Sequence, residues 1–234
     1  MPHLSHKARL NWFCFLTLLI VLSACDPTQE VNENRQTLTI DSQILGEKRE
    51  VFISIPNDEY ADLHGKIKYP VIYVLDGENM FDYTTAMINF LSLSKDNDVL
   101  PRSIIVGIPN TDRDRDLTPD PIAGVLNSGG GDRFLDFIEK ELMPLIDEKF
   151  ASVNHCTIIG HSYGGLLTIH SLFNRPELFD NYIAIDPSYR HLKNRPEYLQ
   201  ASKYNDKQFY LGIANTIGLG LDTSNYQKSV IIFL

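Results

Sequence analysis

A Gly-x-Ser-x-Gly pattern at Gly160, Ser162 and Gly164 constrains the fold of this chain more than any other feature. An apolar, β-prone run over 156–159 precedes it, and an apolar, helix-compatible run over 166–173 follows it. A sharp turn from strand to helix would lift the Ser162 hydroxyl clear of the backbone and aim the next N–H group at the same point. The pattern therefore predicts an exposed serine nucleophile, the alternative being an ordinary turn between a strand and a helix.

The rest of the chain alternates between strand-like and helix-like runs. This alternation predicts an α/β fold with a mostly parallel central sheet and helices on both faces, which opens with an antiparallel hairpin at one sheet edge. The clearest helix begins at an N-cap, Asp132, and should be kinked by Pro144. Strands are predicted over 36–40, 49–55, 70–75, 103–108, 156–159, 182–185 and 208–213, and helices over 79–93, 132–150 and beyond 162.

Polar residues follow several of the predicted strands, and in such sheets ligands bind where the strands end. Asp76, Ser162 and Asp186 each come at the end of a strand, so we expect all three at one edge of the sheet. The loop after another strand carries Arg113 and Arg115 among aspartates. These arginines either meet an anionic substrate or pair with neighbouring aspartates as a surface loop.

The first 24 residues are predicted to be a targeting segment. Lys7 and Arg9 form a positive start, and the apolar run 12–22 is too short to span a bilayer comfortably. The run ends in Leu-Ser-Ala-Cys, which resembles the bacterial lipobox with Cys25 as the lipidated residue. Lipidation would tether the mature protein to a membrane without spanning it.

This leader fixes the predicted domain organisation and location. A lipoprotein signal over 1–24 is followed by a polar tether over 25–35 and one domain over 36–234. We expect the protein in the cell envelope, anchored by lipid on the outer side of the cytoplasmic membrane or in the periplasm. The oligomeric state is left open.

Charge and cysteine usage exclude several classes of partner. The net charge of −9 argues against nucleic acid, because phosphate binding requires clusters of Lys and Arg. Cys156 is expected to be a buried apolar thiol, and no Cys/His spacing suits zinc. We therefore expect no metal and no organic cofactor.

Five motifs, in order, resemble the putative-esterase family of α/β-hydrolases, which includes esterase D and the enterochelin-type siderophore esterases. The likeness extends over roughly 36–222. Its motifs are Tyr-Val-Leu-Asp-Gly at 73–77, Val-Gly-Ile at 106–108 with Asn-Thr-Asp-Arg at 110–113, Gly-His-Ser-Tyr-Gly-Gly at 160–165, Pro-Glu-Leu-Phe at 176–179 and Ile-Asp-Pro-Ser at 185–188.

The resemblance implies an α/β-hydrolase fold and hydrolysis of carboxylic esters through an acyl-enzyme, on small acyl or siderophore-like esters. It makes Ser162 the nucleophile and the backbone N–H groups of Glu78 and Tyr163 the oxyanion donors. Asp222 is the favoured acid, with Asp186 as the alternative. A peptidase of the same fold is disfavoured.

The base is where this sequence departs from the family pattern. The family's histidine comes late, after a final strand, but no histidine follows His191 here. We therefore expect a chain that is truncated at its C-terminus, without the last strand and helix, and inactive for lack of this base unless His191 replaces it. The alternative function is a non-catalytic, lipid-anchored ligand-binding protein, that is, a degenerate hydrolase.

Overall fold

The computed structural model describes most of the domain that follows the leader. It covers residues 35–56, 68–92, 99–150, 152–188, 191, 206–212 and, for the backbone alone, 230–233. The chain divides into two units, 1–33 and 34–234. The predicted signal, Cys25 and most of the tether therefore lie outside the described residues, as does Asp222. Within the described ranges, no helix has the length and apolar character needed to cross a membrane.

The described residues contain eight strands: β1 (Arg35–Ser42), β2 (Glu47–Ser54), β3 (Tyr69–Leu75), β4 (Ile104–Ile108), β5 (Ser152–His161), β6 (Asn181–Ile185), β7 (Gln208–Gly212) and β8 (Val230–Phe233). They form a single sheet in the order β1-β2-β4-β3-β5-β6-β7-β8. β3 to β7 run parallel, whereas β1 and β2 form the predicted antiparallel hairpin at one edge and β8 pairs antiparallel with β7 at the other. The sequence patterns did not predict β8.

The described helices are α1 (Gly77–Ser92), α2 (Arg113–Leu117), α3 (Gly131–Phe137), α4 (Met143–Lys149) and α5 (Tyr163–Asn174), with a π-helical turn (Ile138–Leu142) that joins α3 to α4. The sequence patterns predicted α1, the run from α3 to α4, and α5, but they missed α2, whose five residues are too few to show a periodicity. The structural core thus has the predicted alternation of strands and helices.

The helical run over 131–149 corrects the predicted N-cap and contains a π turn that the sequence did not predict. Its N-cap is Gly130, which makes no side-chain bond, and Asp132 lies one residue inside the first turn. The run contains a π turn, in which the Met143 N–H bonds to the Ile138 carbonyl five residues back. Pro144 follows at the start of α4. Because proline has no N–H and crowds the preceding turn, a wider turn at this point accommodates it.

Both faces of the sheet are apolar, as the near-continuous hydrophobic strands predicted. Along β3, Val71 and Tyr73 point into the larger core cluster, which α3, α4 and α5 cover. Ile72 points to the opposite face, where α1 contributes Phe81. Apolar packing on both faces holds the parallel strands side by side, so their carboxyl ends lie at one edge of the sheet.

Candidate active site

Ser162 occupies the sharp turn between β5 and α5. Its backbone angles are φ 55° and ψ −112°, a conformation that a residue with a side chain rarely adopts. A Cβ atom placed on Gly160 would lie 2.3 Å from the Gly164 backbone, so the turn can close only with a glycine at that position. The predicted strand-to-helix turn is confirmed, and the role of Ser162 as nucleophile stays a prediction.

Two bonds tie Ser162 to the end of β6. The Ser162 N–H donates to the Ile185 carbonyl at 3.0 Å, and the Ser188 N–H donates to the Ser162 carbonyl at 3.1 Å. The two hydroxyl oxygens, Ser162 Oγ and Ser188 Oγ, are 3.2 Å apart. Sequence reasoning did not single out Ser188, although it ends the Ile-Asp-Pro-Ser motif that carried part of the family resemblance.

Backbone strain is concentrated at this edge of the sheet. Asp76, Ser162 and Asp186 have φ values of 54°, 55° and 41°, and they follow β3, β5 and β6, which are neighbours in the sheet. Among the described non-glycine residues, Asn127 alone joins them at positive φ. Such strain persists only where the surrounding structure enforces it, and it clusters at functional sites.

Asp76 anchors a hydrogen-bonded network between two strand ends. Its buried carboxylate accepts bonds from Arg113 Nε at 2.6 Å, Arg113 Nη2 at 3.0 Å and Asn110 Nδ2 at 2.7 Å. The hydrogen bond with Asp76 raises the pKa of the Arg113 guanidinium above its ordinary value. Arg113 therefore pairs with a distant strand end, and the picture of a loop paired only with itself is wrong for this residue.

The two residues predicted to supply oxyanion donors lie at helix starts. Glu78 is in the first turn of α1 and Tyr163 is the first residue of α5, where backbone N–H groups have no partner within their helix. The exposed Glu78 carboxylate accepts from the Asn110 N–H at 3.1 Å and from Asn110 Nδ2 at 2.8 Å. A Cβ on Gly164 would lie 3.3 Å from Asp76 Oδ2, so the two turns adjoin.

His191 lies at the same edge of the sheet as Ser162. Its N–H donates to the Ser188 carbonyl at 3.1 Å, and its ring meets the Tyr163 ring edge-on with centroids 5.7 Å apart. By contrast, His170 in α5 contacts Asp132 in α3, with 2.7 Å between His170 Nε2 and Asp132 Oδ1. His161 is exposed.

The acid is described only in part. Asp222, the favoured residue, lies outside the described residues, whereas Asp186 stands half-buried at the end of β6. The Asp186 N–H donates to the Gly212 carbonyl at 2.6 Å, so its turn is held against β7.

Metal ligands and reactive thiols are not features of the described site. No group of three or more His, Cys, Asp or Glu side chains in the described ranges could hold a metal ion. Cys156 is half-buried within β5, and burial raises the pKa of its thiol to about 12. It is therefore an inert thiol at neutral pH.

Comparison with known protein families gives one match that spans most of the domain. The sequence pattern of the family described as "Putative esterase" matches residues 42–211. The matched region runs from the end of β1 into β7 and includes the Ser162 turn, the Asp76 network and Ser188.

Similar curated proteins carry the names of siderophore esterases. A siderophore triacetylfusarinine C esterase of Aspergillus fumigatus is 37% identical over 135 residues, which are 53% of this chain and 46% of that protein. The ferri-bacillibactin esterase BesA of Bacillus subtilis is 28% identical over 169 residues, 62% and 58% of the two chains. The chain thus spans about half the length of the curated relatives it matches.

A solved structure with the same architecture is that of an IroE-like serine hydrolase from Shewanella oneidensis. It superposes with a TM-score of 0.68 at 35% identity, over 82% of this chain and 65% of that one. The predicted α/β-hydrolase fold is confirmed by this likeness together with the strand order of the sheet.

Proposed function

This chain belongs to the Putative esterase family, and from that premise we propose that the protein is a serine hydrolase that cleaves carboxylic esters. The Ser162 oxygen attacks the ester carbonyl carbon as a base takes its proton; the ester C–O bond breaks, the alcohol leaves with that proton, and water then hydrolyses the acyl-enzyme. The Glu78 and Tyr163 N–H groups stabilise the oxyanion of the tetrahedral intermediate. No cofactor takes part in this chemistry.

One observation carries the proposal. Ser162 is held at φ 55° on the turn between β5 and α5, at the edge where the parallel strands end. A strained serine at this position of an α/β sheet presents its hydroxyl outside the backbone and brings the next N–H beside it. An ordinary turn between a strand and a helix has no reason to keep a non-glycine residue in this conformation.

Hydrolysis of p-nitrophenyl butyrate by the full chain, purified in detergent, tests the proposal. We expect Ser162→Ala to lose at least about 10³-fold in kcat, because removal of a triad member leaves only oxyanion-site and binding catalysis. Ser103→Ala is the matched control, since its hydroxyl bonds the Pro101 carbonyl away from the site. Equal rates for the Ser162 variant and the wild type would show that no histidine of this chain, His191 included, activates Ser162. That result would refute turnover by this chain and favour a non-catalytic ligand-binding protein.

The acid and the base need separate variants. We propose Asp222 as the acid, and Asp222→Asn should then lower kcat more than Asp186→Asn does; the reverse order would assign the role to Asp186. For the base, His191→Ala is the decisive variant among the described histidines. Loss of turnover in that variant would make His191 the base, whereas unchanged turnover would exclude it.

The substrate class follows from the relatives' names. We propose siderophore-like esters, because several curated relatives are named as siderophore esterases. Release of hydrolysed fragments from enterobactin, with and without iron, can be followed by chromatography. Turnover of p-nitrophenyl butyrate without any cleavage of enterobactin would restrict the function to small acyl esters.

We also propose that lipidation of Cys25 anchors the protein in the cell envelope. The support is the lipobox-like sequence behind an apolar run. Expressed in a bacterium, the wild-type protein should partition into the membrane fraction, and Cys25→Ser should move it to the soluble fraction. Membrane association that survives this substitution would refute the anchor.

A further inference from the structure

Asp76 has a strained backbone, and both its carboxylate and its carbonyl accept several hydrogen bonds. It has φ 54° immediately after β3, and its carboxylate accepts three side-chain bonds from Arg113 and Asn110. Its carbonyl also accepts the N–H groups of Asn79 and Met80, each at 2.9 Å, which start α1. Asp76 therefore sets the direction in which the first turn of α1 leaves the sheet.

The two side chains that bond Asp76, those of Arg113 and Asn110, also contact the residues of the proposed oxyanion donors. The Arg113 guanidinium carbon lies 5.2 Å from the centroid of the Tyr163 ring, and Arg113 itself is about one-third exposed. Asn110 bonds both Asp76 and Glu78. The network therefore contacts both helix starts that carry the proposed oxyanion donors: Glu78 in the first turn of α1 and Tyr163 in the first turn of α5.

We propose that the Asp76–Arg113 ion pair is a positioning device for the oxyanion site. The forked guanidinium binds both Asp76 oxygens and lies against the Tyr163 ring, so it keeps the start of α1 and the start of α5 in one geometry. This inference rests on the proposed function. Neither side chain touches the reacting atoms; both act through the backbone N–H groups of Glu78 and Tyr163.

The physical reason is the narrow geometry of oxyanion stabilisation. Donors act when they lie about 2.7–3.1 Å from the position of the oxyanion. A displacement of about 1 Å can cost about 10²-fold in rate. Lysine cannot replace the fork, because a single ammonium makes no bidentate contact with a carboxylate. Arg113→Lys therefore keeps the charge and removes the geometry.

Arg115 provides the matched control in the same helix. Its guanidinium also bonds a carboxylate with two nitrogens, Nη1 to Glu47 Oε2 at 3.1 Å and Nη2 to Glu47 Oε1 at 2.7 Å. None of the contacts described for Arg115 reaches Asp76, Ser162 or Tyr163. Arg115→Lys makes the same chemical change away from the oxyanion site.

The test measures kcat and KM for p-nitrophenyl butyrate with the full chain in detergent, and the rate at which paraoxon inactivates each variant. We expect Arg113→Lys to lower kcat and the inactivation rate by about 10–10²-fold with KM within about twofold. Arg115→Lys should leave both rates unchanged. Guanidinium ion at millimolar concentration should restore part of the rate to Arg113→Ala, since the site of the lost side chain is open to solvent.

Each outcome decides between the inference and the function on which it rests. A kcat for Arg113→Lys equal to that of the wild type, an effect confined to KM, or an equal loss in Arg115→Lys would overturn the positioning role while esterase activity stands. If the wild type shows no turnover that depends on Ser162, the proposed function fails and the positioning role fails with it. If Arg113→Ala fails to fold while Arg113→Lys folds, the kcat and KM of Arg113→Lys decide the question.

Discussion

Arg113 and Arg115 lie two residues apart in α2, yet they belong to two different charge clusters. Arg113 joins the strand-end cluster of Asp76, Asn110 and Glu78, which borders the site and is open to solvent at Arg113. Arg115 joins the buried cluster at the β2 side of the loop. An arginine therefore borders the proposed active site in one cluster, whereas in the other cluster an arginine holds the loop against β2.

The buried cluster is built around a fully buried arginine. Arg49 has 0% exposure and bonds Asp116 Oδ2 at 2.7 Å, the Pro109 carbonyl at 2.7 Å and Thr111. Arg115 Nε bonds the other Asp116 oxygen at 2.6 Å. A charge removed from water so completely is tolerable only because it is paired and hydrogen-bonded.

The two clusters differ in their exposure to solvent and in the backbone strain of the residues beside them. The strand-end cluster lies beside backbone residues at positive φ and holds the turn that carries one donor of the proposed oxyanion site. The buried cluster fastens α2 and its loop to β2, and loss of a partner there costs folding free energy. Substitutions should therefore separate activity from stability between two regions that share one short helix.

The largest effect is expected from Asp116→Ala. It leaves Arg49 buried without its principal counter-charge, which should lower the free energy of unfolding by about 3–5 kcal/mol. Asp114→Ala, a neighbouring aspartate in α2, should change it by less than about 0.5 kcal/mol. Urea unfolding measures both, and similar values for the two variants would contradict the contrast between the clusters.

Gly77→Ala tests the strand-end region. A Cβ atom there would lie 2.5 Å from the Ile108 backbone nitrogen, so the start of α1 must shift. Overpacking of this kind costs about 1–3 kcal/mol, and we expect kcat to fall with it.

The control for Gly77→Ala is Gly46→Ala, in the β1–β2 hairpin turn. Gly46 has φ 73° and open space around it, so alanine there should cost about 1–2 kcal/mol through backbone strain alone. Its kcat should equal that of the wild type. A wild-type kcat for Gly77→Ala would show that the start of α1 does not govern the reaction.

Ser188→Ala should have a smaller effect on both rate and stability. The Ser162 and Ser188 hydroxyl groups are 3.2 Å apart, and a hydrogen bond of this kind contributes about 0.5–1.5 kcal/mol to stability. We expect the free energy of unfolding to fall by no more than that amount and kcat to fall between about twofold and tenfold, measured against Ser103→Ala. A stability loss without a change in kcat would place Ser188 among the structural residues.

A separate expected effect concerns the pH dependence of stability in the buried cluster. The hydrogen bond from Arg115, with those from Thr111 and Arg49, lowers the pKa of Glu47 from 4.5 to about 2. A depressed pKa means that this carboxylate stabilises the fold fully above pH 4.5 and progressively less as the pH falls toward 2.

Glu47→Gln removes this contribution. The difference in unfolding free energy between wild type and variant should therefore shrink between about pH 4.5 and pH 2, as measured by urea unfolding at several pH values. If the difference in unfolding free energy does not change with pH, the lowered pKa of Glu47 does not contribute to stability.

Local sequence patterns predicted much of the architecture. The apolar strands, the opening hairpin, α1 and the turn at Ser162 follow from periodicity and from glycines at fixed spacing, which depend on neighbours in the chain. The π turn before Pro144 and the five-residue α2 did not follow. A π turn has no side-chain signature, and one helical turn shows no period.

What the sequence by itself determined is the α/β class, the strand-to-helix turn and the membership of the Putative esterase family, because these depend on short-range motifs. Only the tertiary structure decided which charges pair. Asp76 meets Arg113 across 37 residues, and Arg49 meets Asp116 across 67. Such partners are chosen by strand order and burial, since a parallel sheet brings distant strand ends together and a buried charge must find its counter-charge.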